Sequence, residues 1–268
     1  MLGIIAQRKS TRTFQKRALS KEDIKLTKTI LDHVKSEERP FKQDVDFFFQ
    51  ENKTHQQGKI GTYGFIKHPP AFIGGVVENT LKGMVDYGFL FEQVILALTL
   101  SNLGTVWLGG TFHRNQFHIP VEEQKIIPAI SPVGYSASKS LREKIIRKVS
   151  NADNRKPLSE LFFLGESLEA VPQAHPYLQY LKAVRLAPSA SNKQPWRIVL
   201  DNDTFYLFLD RTKSYGNSLA IDIQAIDIGI ALSYLYVSLI GDDKLISFVY
   251  TCPLDIDEWE YIIGLKII

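Results

Sequence analysis

Apolar residues along this chain fall into short runs whose spacing switches between the helical and the extended period. Ser20, followed by Glu22 and Asp23, marks a capped helix start; Ile24, Leu26, Ile30, Leu31 and Val34 continue it at helical spacing until the polar segment 37–40 ends it. Segments 44–49 and 71–77 predict strands, the second introduced by Pro69-Pro70. Segment 86–103 is apolar on nearly every side, as suits a helix surrounded by protein, with Gly104 expected to close it. An extended 105–108 then runs into Gly109-Gly110, 126–133 predicts another strand, and 140–149 a basic, exposed helix. Beyond a connector at 151–157 come a helix at 177–186 and a hairpin of 197–200 with 205–209 around Asp201-Asn202-Asp203. A long apolar helix at 221–239 and strands at 246–250 and 261–267 complete the pattern.

The two halves echo each other. Asp86-Tyr87-Gly88 opens the first apolar helix, and Asp227-Ile228-Gly229 recurs 141 residues later within the second, each after an amphipathic helix, a turn and a strand. This reads as a degenerate internal duplication. Two other patterns are not duplicated. Arg8-Lys9-Ser10-Thr11-Arg12-Thr13-Phe14 has no counterpart in the second half, and the first half has Glu38-Arg39-Pro40-Phe41 where the Pro-Ser-rich turn Ala187-Pro188-Ser189-Ala190-Ser191-Asn192-Lys193-Gln194-Pro195-Trp196 would recur.

Composition narrows the class. At 268 residues and 44% hydrophobic the chain can bury a large core, which excludes disorder. Its 32 basic and 29 acidic residues leave an excess of +3, too small for a nucleic-acid footprint. Cys252 alone forms no internal disulfide, the apolar start 1–6 is short for a signal peptide, and the runs 89–100 and 228–240 fall short of a membrane span, the first holding Glu92 and Gln93. The expectation is a cytoplasmic protein with neither nucleic-acid nor membrane partners. The six histidines lack ligand spacing, so no metal site is expected.

The chemistry lies in the two unduplicated patterns. Around Ser10, guanidinium and ammonium groups suit a phosphate, although alone they more readily describe a solvated basic N-terminus capped by Ser10. The run 187–196 offers small hydroxyl and amide side chains, and alone equally describes a turn anchored by Trp196. Together they point to an enzyme.

With these motifs the chain resembles the FMN-dependent nitroreductase family, in its fused tandem branch. Members carry R-R-S-x-R-x-F, matched by 8–14, and A-P-S-x-x-N-x-Q-P-W, matched by 187–196 without a substitution. They carry D-x-G before a buried helix leading into G-L-G-x-x-W-I-G-G, matched by Asn102 to Gly110, and R-x-P-L-x-E, matched by Arg155 to Glu160. The resemblance implies an α+β, nitroreductase-like fold whose two pseudo-repeated halves, 1–162 and 163–268, form one integrated unit mimicking the family homodimer. One complete flavin site is implied, its mirror image lost, and a single chain suffices without a partner subunit.

By resemblance Arg8, Ser10, Arg12 and Arg155 would hold the FMN phosphate and ribityl hydroxyls, with Lys9 near the ring. Pro188, Ser189, Ala190 and Asn192 would line the ring, supported by Gln194, and Leu108, Gly109 and Gly110 would approach its reactive edge. Thr62-Tyr63-Gly64 falls where relatives touch the pyrimidine edge. Asp153 stands where many relatives have a second basic residue. The implied activity is hydride transfer from NADH or NADPH, as co-substrate, through FMN to a nitroaromatic or quinone-like small-molecule acceptor, with no catalytic side chain required. The alternatives are dehalogenation or flavin degradation on the same fold, and a non-catalytic flavin-binding or ligand-sensing protein. The choice of nicotinamide, the acceptor and the oligomeric state stay open.

Overall fold

The two most apolar runs fold into long helices, α3 (Leu81–Leu100) and α5 (Ile223–Ile240), which pack against each other more extensively than any other pair of elements. The computed structural model describes residues 2–52, 66–110, 112–137 and 154–268; the expected helix at 140–149, Thr62 to Gly64 and Asp153 lie outside them. Where the helices cross, Gly88 meets Gly229. A Cβ on Gly88 would strike the Ile226 carbonyl and lie 3.2 Å from the Gly229 Cα, and a Cβ on Gly229 would strike the Val85 carbonyl and lie 3.0 Å from the Gly88 Cα. The contact is thus reciprocal, with residues 85 and 88 doing for one helix what 226 and 229 do for the other. Both helices are long and apolar enough to cross a membrane by length and composition, yet 78% and 83% of their apolar windows are buried within the protein.

Each helix lies against the sheet of its own half. The first sheet joins β1 (Asp46–Glu51), β2 (Ala71–Glu78), β5 (Ile130–Gly134) and β3 (Gly104–Thr105) in that order, with β4 (Lys125–Ile126) on β2. The second contains β8 (Trp196–Asp201), β9 (Thr204–Leu209), β11 (Glu260–Ile267) and β10 (Ile246–Val249) in the matching order, extended beyond β8 by β6 (Phe162–Leu164) and β7 (Glu169–Ala170). Hairpin, buried helix and two returning strands therefore occur twice, antiparallel throughout except where β6 runs parallel to β8. One main apolar cluster spans both halves, with Tyr87 and Phe89 from the first and Trp196 and Tyr234 from the second fully buried.

Several elements differ from the periodicity, each for a local reason. Helix α3 begins five residues before 86 because Thr80 Oγ accepts the Gly83 N–H at 3.1 Å. It ends at Leu100 because Asn102 turns left-handed at φ 57° and the Leu103 N–H reaches back to the Leu98 carbonyl at 2.9 Å. Gly104 does not close the helix but opens β3, where a Cβ would lie 2.7 Å from Thr11 Oγ1. The single strand expected at 126–133 is two, β4 and β5, separated around Pro128, which has no N–H for a ladder. Of 105–108 only Thr105 belongs to a strand, and Leu108 rejoins the sheet through two hydrogen bonds with Ile130, 2.9 and 3.0 Å. Helix α2 (Lys21–Ser36) starts as expected, with Ser20 Oγ accepting the Asp23 N–H at 3.0 Å. The short helices α1 (Leu2–Gln7) and α4 (Leu178–Val184) flank the helix pair.

Gly229→Ala should destabilise the chain by about 3 kcal/mol, because backbone rather than a flexible side chain occupies the space. Urea unfolding measures this; a loss within experimental error would mean that the helices separate without cost.

Candidate functional site

The segment after α1 is pinned into an extended conformation along the first sheet. The Thr11 N–H donates to the Thr105 carbonyl at 2.8 Å, the Phe14 N–H to Lys67 at 2.9 Å, and the Lys67 N–H to the Arg12 carbonyl at 2.8 Å, while Phe14 is buried as the anchor. Alternate residues of an extended segment face one side, so Arg8, Ser10 and Arg12 line a common cavity and Lys9 is exposed.

The opposite wall is the turn before β8. Ser191 and Asn192 adopt left-handed φ values of 47° and 55° and Gln194 of 50°, unusual for side chains other than glycine. The side chains of Asp227, Ser189 and Gln194 hold this turn. The Asp227 carboxylate on α5 accepts the Ala190 N–H at 3.0 and 3.2 Å, and Ser189 Oγ accepts the Gln194 N–H at 2.9 Å. The Gln194 side chain accepts the Lys156 N–H at 3.0 Å and donates to the Asn192 carbonyl at 3.1 Å. Asp86 on α3 repeats the arrangement in the first half, accepting the Phe41 N–H at 3.0 Å and the Gln43 N–H at 2.8 Å. Burial raises the pKa of both carboxyls against these donors, Asp86 to about 6 and Asp227 well above the usual range.

Between the walls lies a cavity of about 220 Å³. Arg8, Ser10, Arg12 and Gly109 come from the first half; Pro188, Ser189, Ala190 and Asn192 come from the turn, and Arg155 from the segment between. Arg155 Nη1 donates to Asn192 Oδ1 at 2.9 Å and Nη2 to the Leu186 carbonyl at 3.2 Å, so the Asn192 amide fastens the arginine to the turn. Leu108 does not line the cavity, because its backbone is committed to Ile130 and its side chain to a separate apolar cluster. Gly110 faces Leu219 instead, and Gln194, 3% exposed, sits beneath the turn. A Cβ on Gly109 would press against Ile223 Cδ1 at 3.1 Å.

The donor set has a definite chemistry. Three guanidiniums and the hydroxyls of Ser10, Ser189 and Ser191 suit an anionic, polyhydroxylated group, whereas Val106, Trp107, Ile223, Ile226 and Ile230 suit an apolar ring system. A flavin mononucleotide combines the two, and the residues present fit it. A family model described as "Putative TM nitroreductase" matches residues 1–239. The chain belongs to this nitroreductase family. A Thermotoga maritima protein described as a putative nitroreductase is 21% identical, with 99% of this chain and 93% of that one covered at a TM-score of 0.61. An FMN-dependent nitroreductase from Clostridium difficile is 17% identical over 52% of this chain and 90% of its own, with a TM-score of 0.43. A Bacteroides thetaiotaomicron protein described as a putative NADH dehydrogenase/NAD(P)H nitroreductase gives 20%, 52%, 88% and 0.43. Among curated proteins none matches the sequence.

Sequence reasoning on this nitroreductase-family chain missed the α5 lining, Ile223, Ile226, Asp227 and Ile230, together with Ala129, Ser191, Val106 and Trp107. Asp227 was visible only as half of the repeated D-x-G. Behind the lining it also missed a buried polar cluster. Arg8 Nε donates to the Tyr234 hydroxyl at 2.9 Å and lies 3.8 Å from Glu92 Oε1, while Trp107 Nε1 donates to Glu92 Oε2 at 2.6 Å. Glu92 is fully buried, which drives its pKa up to about 7 against the opposing pull of Arg8, Trp107 and Tyr234. Burial alone would lower the Arg8 pKa, but Tyr234 and Glu92 more than offset it and hold it above the usual value. The signal was a carboxylate inside an apolar helical run, rare unless paired.

Asp227→Ala removes the acceptor for Ala190 and should cost about 2 kcal/mol in urea unfolding while weakening flavin binding. Asp86→Ala, its counterpart, should cost as much in unfolding and leave flavin affinity unchanged; equal effects of both on affinity would refute the assignment of the cavity to the Asp227 side.

Proposed function

We propose that this chain is an FMN-dependent oxidoreductase that takes hydride from NADH or NADPH and passes it to a small electron-poor acceptor such as a nitroaromatic or a quinone. The observation that supports this reading is the cavity between the halves, where Arg8, Ser10 and Arg12 face Ser189, Ala190 and Asn192 across an apolar floor. Family membership supports it independently. Bound FMN would supply the hydride acceptance and donation. The protein's part is to bind and orient: Arg8, Arg12 and Arg155 for the phosphate and ribityl end, Pro188 to Asn192 and the α5 face for the ring, and Gly109 to keep its surroundings open. No acid, base or nucleophile is assigned.

The reading has one flavin per chain. At the mirror position, beside Pro40, Phe41 and Lys82, the Tyr250 hydroxyl donates to the Pro40 carbonyl at 2.9 Å and its ring packs 6.3 Å from that of Phe41. The cleft there, about 490 Å³, is bordered also by Lys42, Leu81, Tyr261 and Ile262, and among the described residues its lining has none of the guanidinium and serine groups of the first cavity. The halves 1–162 and 163–268 act together in this reading, and a single chain carries the whole site.

Purified protein should be yellow, bleach anaerobically with NADH or NADPH, and recover its colour with a nitroaromatic or quinone. Yellow protein inert to both nicotinamides would instead mark a flavin-binding protein without turnover. Flavin counted by absorbance against total protein should approach one per chain. Arg12→Ala and Asn192→Ala, from opposite halves, should each weaken FMN binding about tenfold, as lost charge-assisted or buried hydrogen bonds do; unchanged binding in both would refute the shared site.

A further inference from the structure

Beneath the cavity, three elements converge on the buried carboxyl of Glu92. Helix α3 supplies the carboxyl itself, α5 supplies Tyr234, and the segment following α1 supplies Arg8. Trp107 adds a neutral donor at 2.6 Å. Among the described residues, the charged and titratable groups facing Glu92 are Arg8 and Tyr234. One of its oxygens, Oε2, is engaged by Trp107; the other, Oε1, is buried and lies 3.8 Å from Arg8 Nε, and the Tyr234 hydroxyl is near enough to the carboxyl to pull its pKa down. Arg8 and Trp107 both line the cavity, so the two groups that Glu92 holds are two that a ligand would touch.

We propose that Glu92 is a positioning residue that makes anion binding in the cavity proton-linked: it holds Arg8 and Trp107 in place, and it takes up a proton when an anionic ligand arrives beside Arg8. The inference rests on the flavin reading and adds a control to that site. With an empty cavity, ionised Glu92 compensates the Arg8 charge. A phosphate or another anion entering beside Arg8 provides that compensation itself, leaving two negative groups close to one guanidinium in a buried setting. The cheaper state protonates Glu92, which can carry the proton on Oε1 while Oε2 keeps its bond from Trp107. One proton moves from solvent to the carboxyl and forms its O–H bond; no other covalent bond changes. Binding and protonation then favour each other reciprocally.

The sign follows directly. Protonated Glu92 leaves the full Arg8 charge to the ligand, so the affinity for an anion is greatest below the titration of Glu92 and declines as pH rises through it. Glu92→Gln keeps an acceptor for Trp107 and mimics the protonated acid at every pH. FMN titrated into the flavin-free full-length chain, followed by quenching of flavin fluorescence from pH 6 to 8.5, separates the cases. The FMN phosphate titrates in both proteins, so the ratio of their dissociation constants isolates Glu92. Wild type should match the variant near pH 6 and bind about fivefold or more weakly than it near pH 8.5. A ratio independent of pH would overturn the proposal. Calorimetry on the wild type alone, in two buffers of different ionisation enthalpy at pH 7.5, covers the case of a variant that does not fold. Net proton uptake on FMN binding supports the proposal, and none overturns it. FMN that binds without pH-linked uptake removes this inference and leaves the flavin reading standing, whereas FMN that fails to bind at any pH removes both.

Discussion

The reciprocal contact of Gly88 with Gly229 is the constraint from which the site follows. Two helices apolar on nearly every side have no solvent-facing side to give, so they must bury each other, and the absence of a Cβ at the crossing lets their backbones touch. Once they are in contact, residues near the crossing on each helix take fixed positions relative to both sheets. Asp86 and Asp227, each two positions before its glycine, reach the turn that precedes the hairpin of their own half, β1 with β2 or β8 with β9. Glu92 and Tyr234 meet across the same interface and hold Arg8 between them. Helix packing, turn geometry and cavity charge are therefore one arrangement rather than three.

Duplication gives the frame, and departures from it give the site. The frame repeats in strand order, in the buried aspartates that hold each turn and in the glycine crossing. Where the second half has Ser189 and Ala190, small enough to leave space, the first has Phe41 and Lys42 with Tyr250 drawn against Pro40. Where the first half runs Arg8, Ser10 and Arg12 along its sheet, the mirror cleft has Tyr261 and Ile262 from the second half, and the cations lining it among the described residues are Lys42 and Lys82.

Much of this was legible in the sequence because it is local. Ser20 announced its own helix, the hairpin around Asn202 its own turn, and the alternation of Arg8, Ser10 and Arg12 needed only an extended backbone to converge. What stayed hidden depends on partners distant in sequence. Leu108 reads like a site residue until Ile130 claims its backbone, and Gly110 until Leu219 is found beside it. Gly104 reads as a helix stop, yet Asn102 performs that role and Gly104 makes room for Thr11 and Ser136. Asp227 and Glu92 sit inside apolar runs where periodicity carries no directional information, so only the packing of α3 on α5 shows what they face. The α5 lining was missed for the same reason: a helix buried on every side does not say which side borders a cavity.

A crystal structure of the full chain with FMN bound decides whether the two halves share one site. One flavin per chain should lie between them, touching both the Arg8–Arg12 segment and the Pro188–Asn192 turn. Flavin density beside Tyr250, or in contact with only one of these two segments, would contradict the shared site.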